Sequence, residues 1–132
     1  MATATAEDLA RKKCVPCEGG VPPLGPEEIA NLLAALPGWT VTEDGKRIRR
    51  SWVAKHFVAG IAFFDQVAVL AEAEGHHPDL HLEGYRNVKV EVWTHAIGGL
   101  SENDFILAAK IDQVPIALPK TSSSETAKIP HA

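Results

Sequence analysis

Apolar and polar positions recur along this chain with two periods, and the changes of period mark its elements. Ile29, Leu32, Leu33 and Leu36 follow one another at three- and four-residue spacing, which is one apolar face of a helix. Pro26 suits the first helical position, Glu27 and Glu28 suit the positive end of the helix dipole, and Pro37-Gly38 ends the run. Trp39 to Thr42 and Arg47 to Val53 are rich in β-branched and aromatic residues. They flank Glu43-Asp44-Gly45, which predicts a hairpin because the turn needs a positive φ that glycine supplies without strain. A second helix is predicted over 55–74. Phe57, Ile61, Phe64, Ala68 and Ala71 line one side and Phe63, Val67 and Leu70 the adjoining one, leaving a thin stripe of Asp65, Gln66 and Glu72. A helix so nearly apolar all round must be covered on two sides. A sheet covers one; a second subunit is expected on the other.

Gly75 is placed to stop that helix in the left-handed conformation, and Pro78 forbids its immediate continuation. His76 and His77 are therefore expected in a short, stiff connection. From Arg86 to His95 the period is two: Val88, Val90 and Val92 share one face, Lys89, Glu91, Trp93 and His95 the other. Ala96-Ile97-Gly98-Gly99 turns the chain, and Ser101 with Asp104 resembles a capping box opening a last helix to about Gln113. Pro115 and Pro119 close it. The order of helix, two strands, helix, strand region and helix implies an α+β domain over 26–114, an antiparallel sheet with helices on one face. Residues 1–25 lack periodicity and read as a flexible N-terminal arm; 115–132 read as a disordered tail.

Composition narrows the function classes. The chain has 132 residues, enough for one core, and carries 17 acidic against 13 basic residues. That balance gives no support for direct binding of nucleic acid, and Lys46-Arg47-Ile48-Arg49-Arg50 reads as a solvated strand. No run reaches the roughly 18 apolar residues of a membrane span. Residues 1–13 have no apolar core and no Arg/Ser-rich amphipathic pattern, so no signal or transit peptide is recognisable; a presequence already removed would leave the same N-terminus. Cys14-Val-Pro-Cys17 has the spacing of half a zinc site or a redox pair. No second pair completes a zinc site, and Gly19-Gly20 and Pro22-Pro23 follow where a redox motif would open a helix.

The chemistry is concentrated in Glu72 to His81, where three of the six histidines fall within six positions. Histidine is the side chain that exchanges protons near neutrality. Adjacent loop histidines can be plain surface residues. Zinc is the next rival, but Pro78 and Asp79 break any helical face joining His77 to His81, and no HExxH base is present. No serine or cysteine sits in a nucleophile motif, and Gly98-Gly99 is too short for a phosphate-binding loop. Acid/base chemistry by imidazoles survives, with no metal and no cofactor, suited to addition, elimination or isomerisation of a small molecule.

Glu72, three intervening residues, His76-His77-Pro78, then Tyr85, Thr94-His95, Gly99-Leu100-Ser101 and Asp104 together resemble the signature of the pterin-4a-carbinolamine dehydratases. The resemblance covers 26–114, and the segment Lys12 to Cys17 and the run His95 to Leu100 are most similar to plant and algal members. It implies three helices on a four-stranded antiparallel sheet, assembly into homodimers or homotetramers, and dehydration of 4a-hydroxytetrahydropterin to quinonoid dihydropterin in tetrahydrobiopterin recycling. It implies His76, His77 and His95 as catalytic imidazoles with Glu72 behind them. Pro78, Thr94, Ala96 and Ile97 would line the pterin pocket beside the histidines. His76 and His95 are expected to share the proton transfers, His77 to position the ring, and Glu72 to hold one imidazole's tautomer.

Leu80 and His81 stand where many members carry aromatic residues, and the interval from Pro78 to Tyr85 is one residue longer than in the mammalian type. Both departures are expected to alter the pocket rim. In mammals the same fold doubles as a dimerisation partner of a transcription factor, and a plastid relative is associated with rubisco assembly, so a scaffold role is the alternative. Plant-like members are also linked to molybdenum-cofactor enzymes, which widens the range of pterins implied. The resemblance suggests a mitochondrion or other organelle, otherwise the cytoplasm.

Overall fold

Gly45 adopts φ +74° in the turn between Thr42 and Arg47, so the Asp-Gly hairpin forms where the sequence predicts it. A computed structural model describes residues 5–15 and 22–119. Their elements run α1 (Ala6–Arg11), α2 (Pro26–Leu33), β1 (Thr40–Val41), β2 (Ile48–Val53), α3 (Phe57–Glu74), β3 (Asp79–Glu83), β4 (Asn87–Val92), a 3-10 turn (His95–Ile97) and α4 (Glu102–Ile111). The strands form one antiparallel sheet in the order β1-β2-β4-β3. The α+β class and the four strands agree with expectation.

The period-two pattern of β4 sets the core. Val88, Val90 and Val92 are buried, and Ile48 is level with Val92 on β2. Phe63 and Val67 of α3 and Phe105, Leu107 and Ile111 of α4 complete the buried cluster. Each such side chain contributes about 1.5–3 kcal/mol by leaving water. Trp52 packs its ring 5.0 Å from that of Phe63 and 6.3 Å from that of Trp39. The indole N–H of Trp39 donates to Asp112 just past α4, which ties the hairpin to the last helix.

The long helix starts at Phe57, two residues later than predicted, because His56 caps it: the imidazole Nδ1 accepts from the Ala59 N–H at 3.1 Å. At Gly60 the helix comes so close to the sheet that a Cβ would lie 3.3 Å from Leu82 and 3.4 Å from Val88. The buried stripe is Ala59, Gly60, Phe63, Val67 and Ala71. Phe57 and Ile61, expected on the same face as Ala71, are instead among the exposed apolar residues, with Val58 and Val69.

Three departures concern whole segments. The stretch read as a flexible arm contains α1, whose Thr5 and Asp8 form a capping box and whose Leu9 is completely buried against the core. The six-residue helix is too short to show a repeat in the sequence. β3 has no bounds of its own in the strand region that the pattern predicts: it runs straight out of the histidine motif, Leu80 and Leu82 pack against the core, and the strand pairs along its length with β4. Past α4, the Lys55 N–H donates to the Ala117 carbonyl and Ile116 packs on the core, so the expected tail begins as packed chain. Cys17 and Gly19-Gly20, and the rest of that tail over 120–132, lie outside the described residues. Among the described residues no helix is long and apolar enough to cross a membrane.

Candidate active site

The end of α3 delivers the histidines. Gly75 takes φ +67°, the His76 N–H donates to the Ala71 carbonyl and the Gly75 N–H to that of Glu72, a Schellman closure. The chain reverses there and drops His76 beside the first turn of α4. His76 Nε2 lies 2.6 Å from Asp104 Oδ1. Asp104 is fully buried, and its other oxygen accepts from the Thr94 hydroxyl at 2.8 Å and from the Ser101 N–H at 2.9 Å. Since the Thr94 proton goes to Asp104, the Ser101 hydroxyl donates to Thr94 Oγ1, 2.8 Å away. With Asp104 accepting throughout, the Nε2 of His76 carries a proton and Nδ1 is the nitrogen left for a ligand.

The other two histidines are held more loosely. His77 Nε2 lies 2.7 Å from a Glu72 carboxylate oxygen, both side chains well exposed. His95 opens the 3-10 turn after β4, where Thr94 and Gly99 pair and Gly98 reverses the chain at φ +65°. Its ring lies against Trp93 at a tilt of 42°, with centroids 4.0 Å apart. The Arg47 guanidinium lies over the same indole at 4.6 Å and is itself anchored by Asp79 and Glu91.

Glu72, His76, His77, Thr94, His95 and Ala96 line one pocket of about 530 Å³, so six of the expected residues come together. Pro78 and Ile97 do not line it. Pro78 only directs the chain into β3, and Ile97 sits inside the 3-10 turn. Leu80 and His81 do not form its rim either: alternation along β3 turns Leu80 to the core and sets His81 beside Lys89 and 4.0 Å from Glu91. His81 lines a separate hollow with Trp52 and Lys89.

Sequence reasoning missed several participants. Asp104 was legible as a capping residue, and Trp93 as the neighbour of His95, but neither as part of the site. Lys13, Cys14 and Val15 also line the pocket, a wall supplied by the segment after α1. The Cys14 N–H donates to Glu74 Oε1 at 2.9 Å. Burial pushes the Glu74 carboxyl up, but the Cys14 N–H and the Lys110 and Lys13 ammoniums outweigh it and hold it below the ordinary glutamate value. Burial, then the Glu74 charge, pushes the Cys14 thiol up to about 12, so it stays protonated at neutral pH and is a poor nucleophile. Among the described residues no three His, Cys, Asp or Glu side chains are grouped as metal ligands would be.

The fold is a single α+β domain that brings three histidines to one pocket, one of them backed by a buried carboxylate. The comparisons make the family plain. Residues 22–114 match the family model described as pterin 4 alpha carbinolamine dehydratase, and the chain belongs to that family. It is 51% identical over 112 residues to the mitochondrial pterin-4-alpha-carbinolamine dehydratase 2 of Arabidopsis thaliana, covering 83% of this chain and 60% of that one. A Nitrosospira multiformis protein of the same family description is 52% identical over 108 residues, 82% of this chain and 93% of that one. A crystal structure titled transcriptional coactivator/pterin dehydratase, from Brucella melitensis, matches with TM-score 0.65 at 33% identity, covering 70% of this chain and 97% of that one.

Proposed function

We propose that this chain is a dehydratase that removes water from 4a-hydroxytetrahydropterin to give quinonoid dihydropterin, by proton transfers between imidazoles and substrate. The observation that carries the reading is that His76, held from behind by Asp104, lines the same pocket as His77 and His95 in a chain of this family. In the reaction the C4a–O bond breaks, the hydroxyl leaves as water with a proton delivered to it, N5 gives up its proton and the C4a–N5 double bond forms. His76, its Nε2 proton held by Asp104, suits the accepting step through Nδ1. His95 suits the delivering step, and His77 with Glu72 suits holding the ring. Each transfer is worth about 10²- to 10⁴-fold.

The test is the optically followed dehydration rate of 4a-hydroxytetrahydropterin with wild type, His76→Ala and His95→Ala. Acceleration by the wild type, reduced at least a hundredfold in each variant, is expected. Near-normal turnover in both variants would overturn the residue roles. No acceleration by the wild type would overturn the activity and leave a scaffold of the same fold. The α4 cap uses one oxygen of Asp104 and leaves the other for His76, an arrangement that favours the enzyme.

The reading extends to a second copy of the chain. Phe57, Val58, Ile61 and Val69 leave an exposed apolar side on α3, opposite the stripe that meets the sheet, which supports a homodimer or homotetramer. The name of the Arabidopsis relative supports a mitochondrial location, to be checked by imaging a tagged full-length protein.

A further inference from the structure

The segment Lys13–Val15 is fastened to the domain from two sides. Before it, Leu9 of α1 is buried in the core and the Lys12 ammonium lies 2.6 Å from Glu102. Within it, the Cys14 N–H donates to Glu74 and the Cys14 thiol to the Asn103 carbonyl at 3.6 Å. Asn103, itself buried, clamps Val15: its Oδ1 accepts from the Val15 N–H at 3.0 Å and its Nδ2 donates to the Val15 carbonyl at 2.6 Å. These bonds take up the polar backbone of Val15, the Cys14 N–H and the thiol. What the strap leaves for a ligand is the Lys13 ammonium, 71% exposed and 3.8 Å from Glu74, and the Val15 side chain, 63% exposed.

We infer that this strap is a specificity wall of the pocket, in which Lys13 and Val15 take the polar C6 substituent of the pterin while the ring lies among the histidines. The inference rests on the pterin reading of the pocket. Proton transfer fixes the ring against His76 and His95, so the strap, on the same cavity but outside the histidine cluster, meets the part of the substrate that extends beyond the ring. An ammonium and two methyl groups match a short chain of hydroxyls on carbon. They offer no matching partner to an unsubstituted edge. The anchoring residues Asn103 and Glu74 act through the strap and are positioning residues.

The test is equilibrium binding, followed by tryptophan fluorescence because Trp93 lines the pocket. Two 7,8-dihydropterins are compared, one with a dihydroxypropyl chain at C6 and one with a methyl group. In the full chain, Lys13→Ala with Val15→Ser alters exposed side chains only, and Asn103→Ala releases the strap without substituting any residue that lines the cavity. Both variants are expected to weaken the dihydroxypropyl compound roughly tenfold and the methyl compound less than twofold. Unchanged affinity for both compounds in the Lys13/Val15 variant overturns the inference, as does equal weakening of both, which marks a structural role. Absence of binding of either compound to the wild type overturns it too. Strap-dependent binding without any wild-type turnover leaves the specificity wall standing and overturns the dehydratase reading alone.

Discussion

Asp104 divides its two carboxylate oxygens between the fold and the site. One closes the α4 cap through Ser101 and holds Thr94; the other holds His76. Replacing it with asparagine keeps the volume but puts an N–H₂ group against donors. If the amide oxygen stays on Thr94 and Ser101, its nitrogen faces His76 Nε2, which can then accept only by moving its proton to Nδ1. Asp104→Asn is therefore expected to lower kcat about 10²- to 10⁴-fold, as a wrong tautomer does in a serine-protease triad, and to cost about 1–3 kcal/mol of stability. Turnover measured beside a urea melt separates the two effects; turnover within threefold of wild type would deny Asp104 its hold on the imidazole. The histidines were legible because they cluster in sequence. Asp104 was legible as half of a capping box and as a position of the family signature but not as a partner of the site, since nothing in the spacing of Ser101 and Asp104 says that His76, 28 residues earlier, comes to lie against it. Lys13 to Val15 were less legible still, because a wall made by backbone fastening leaves no side-chain pattern.

At the level of elements, sequence reading succeeded where one physical signal dominated and failed where two overlapped. The α2 spacing, the Asp44-Gly45 turn, the β4 valines and the Gly75 stop each had a single clear cause. β3 has Leu80 and Leu82 at period two, but the histidine motif runs into it, and Asp79 and Glu83 are weak strand formers. Its turn, with Gly84 at φ +56° and Tyr85 at φ +55°, places a bulky residue where glycine or asparagine is usual, so the hairpin carried no clear sequence signal. β3 and its neighbours expose a ladder of charge centred on Glu91, which is buried between Arg47 and Arg49. Burial pushes the Glu91 carboxyl up, but the Arg49 and Arg47 guanidiniums outweigh it and hold it below its ordinary value of 4.5. A carboxyl lowered in the folded state stabilises above the unfolded value and loses that contribution as pH falls through the folded one. Glu91→Gln should therefore cost about 1–3 kcal/mol at pH 7, with the difference from wild type shrinking below pH 4.5. Urea midpoints across pH 3–7 check this, and a constant difference throughout would assign the loss to packing instead.

For the whole molecule the open question is what covers α3. The helix packs Phe63, Val67 and Ala71 on the core, yet Val58 and Val69 on other sides are 68% and 71% exposed. Four large apolar side chains exposed on one side of a helix are a common mark of a surface that meets a partner. A second copy offers the same helix, and two such faces packed together bury apolar surface at about 25 cal/mol per Å², with Asp65, one turn from both Ile61 and Val69, the charged group that packing has to leave at its rim. The sequence carried this expectation in the near-complete apolarity of the segment, and the sheet accounts for only one side of it. The prediction is that sedimentation equilibrium finds the wild type at a multiple of the monomer mass. Val58→Glu with Val69→Glu should move it towards the monomer while leaving the urea midpoint of the monomeric domain within about 0.5 kcal/mol, because neither side chain touches the core. A wild type that sediments as a monomer at micromolar concentration would remove the second subunit, and the exposed face would then have to meet another kind of partner. The candidate pocket lies at the far end of the same helix from Val58, around Gly75, where His76 is held by Asp104 of its own chain. Dissociation should therefore leave the pocket whole, so the monomeric variant is expected to retain turnover within about threefold. A larger loss would mean that the neighbouring copy holds the end of α3 in place.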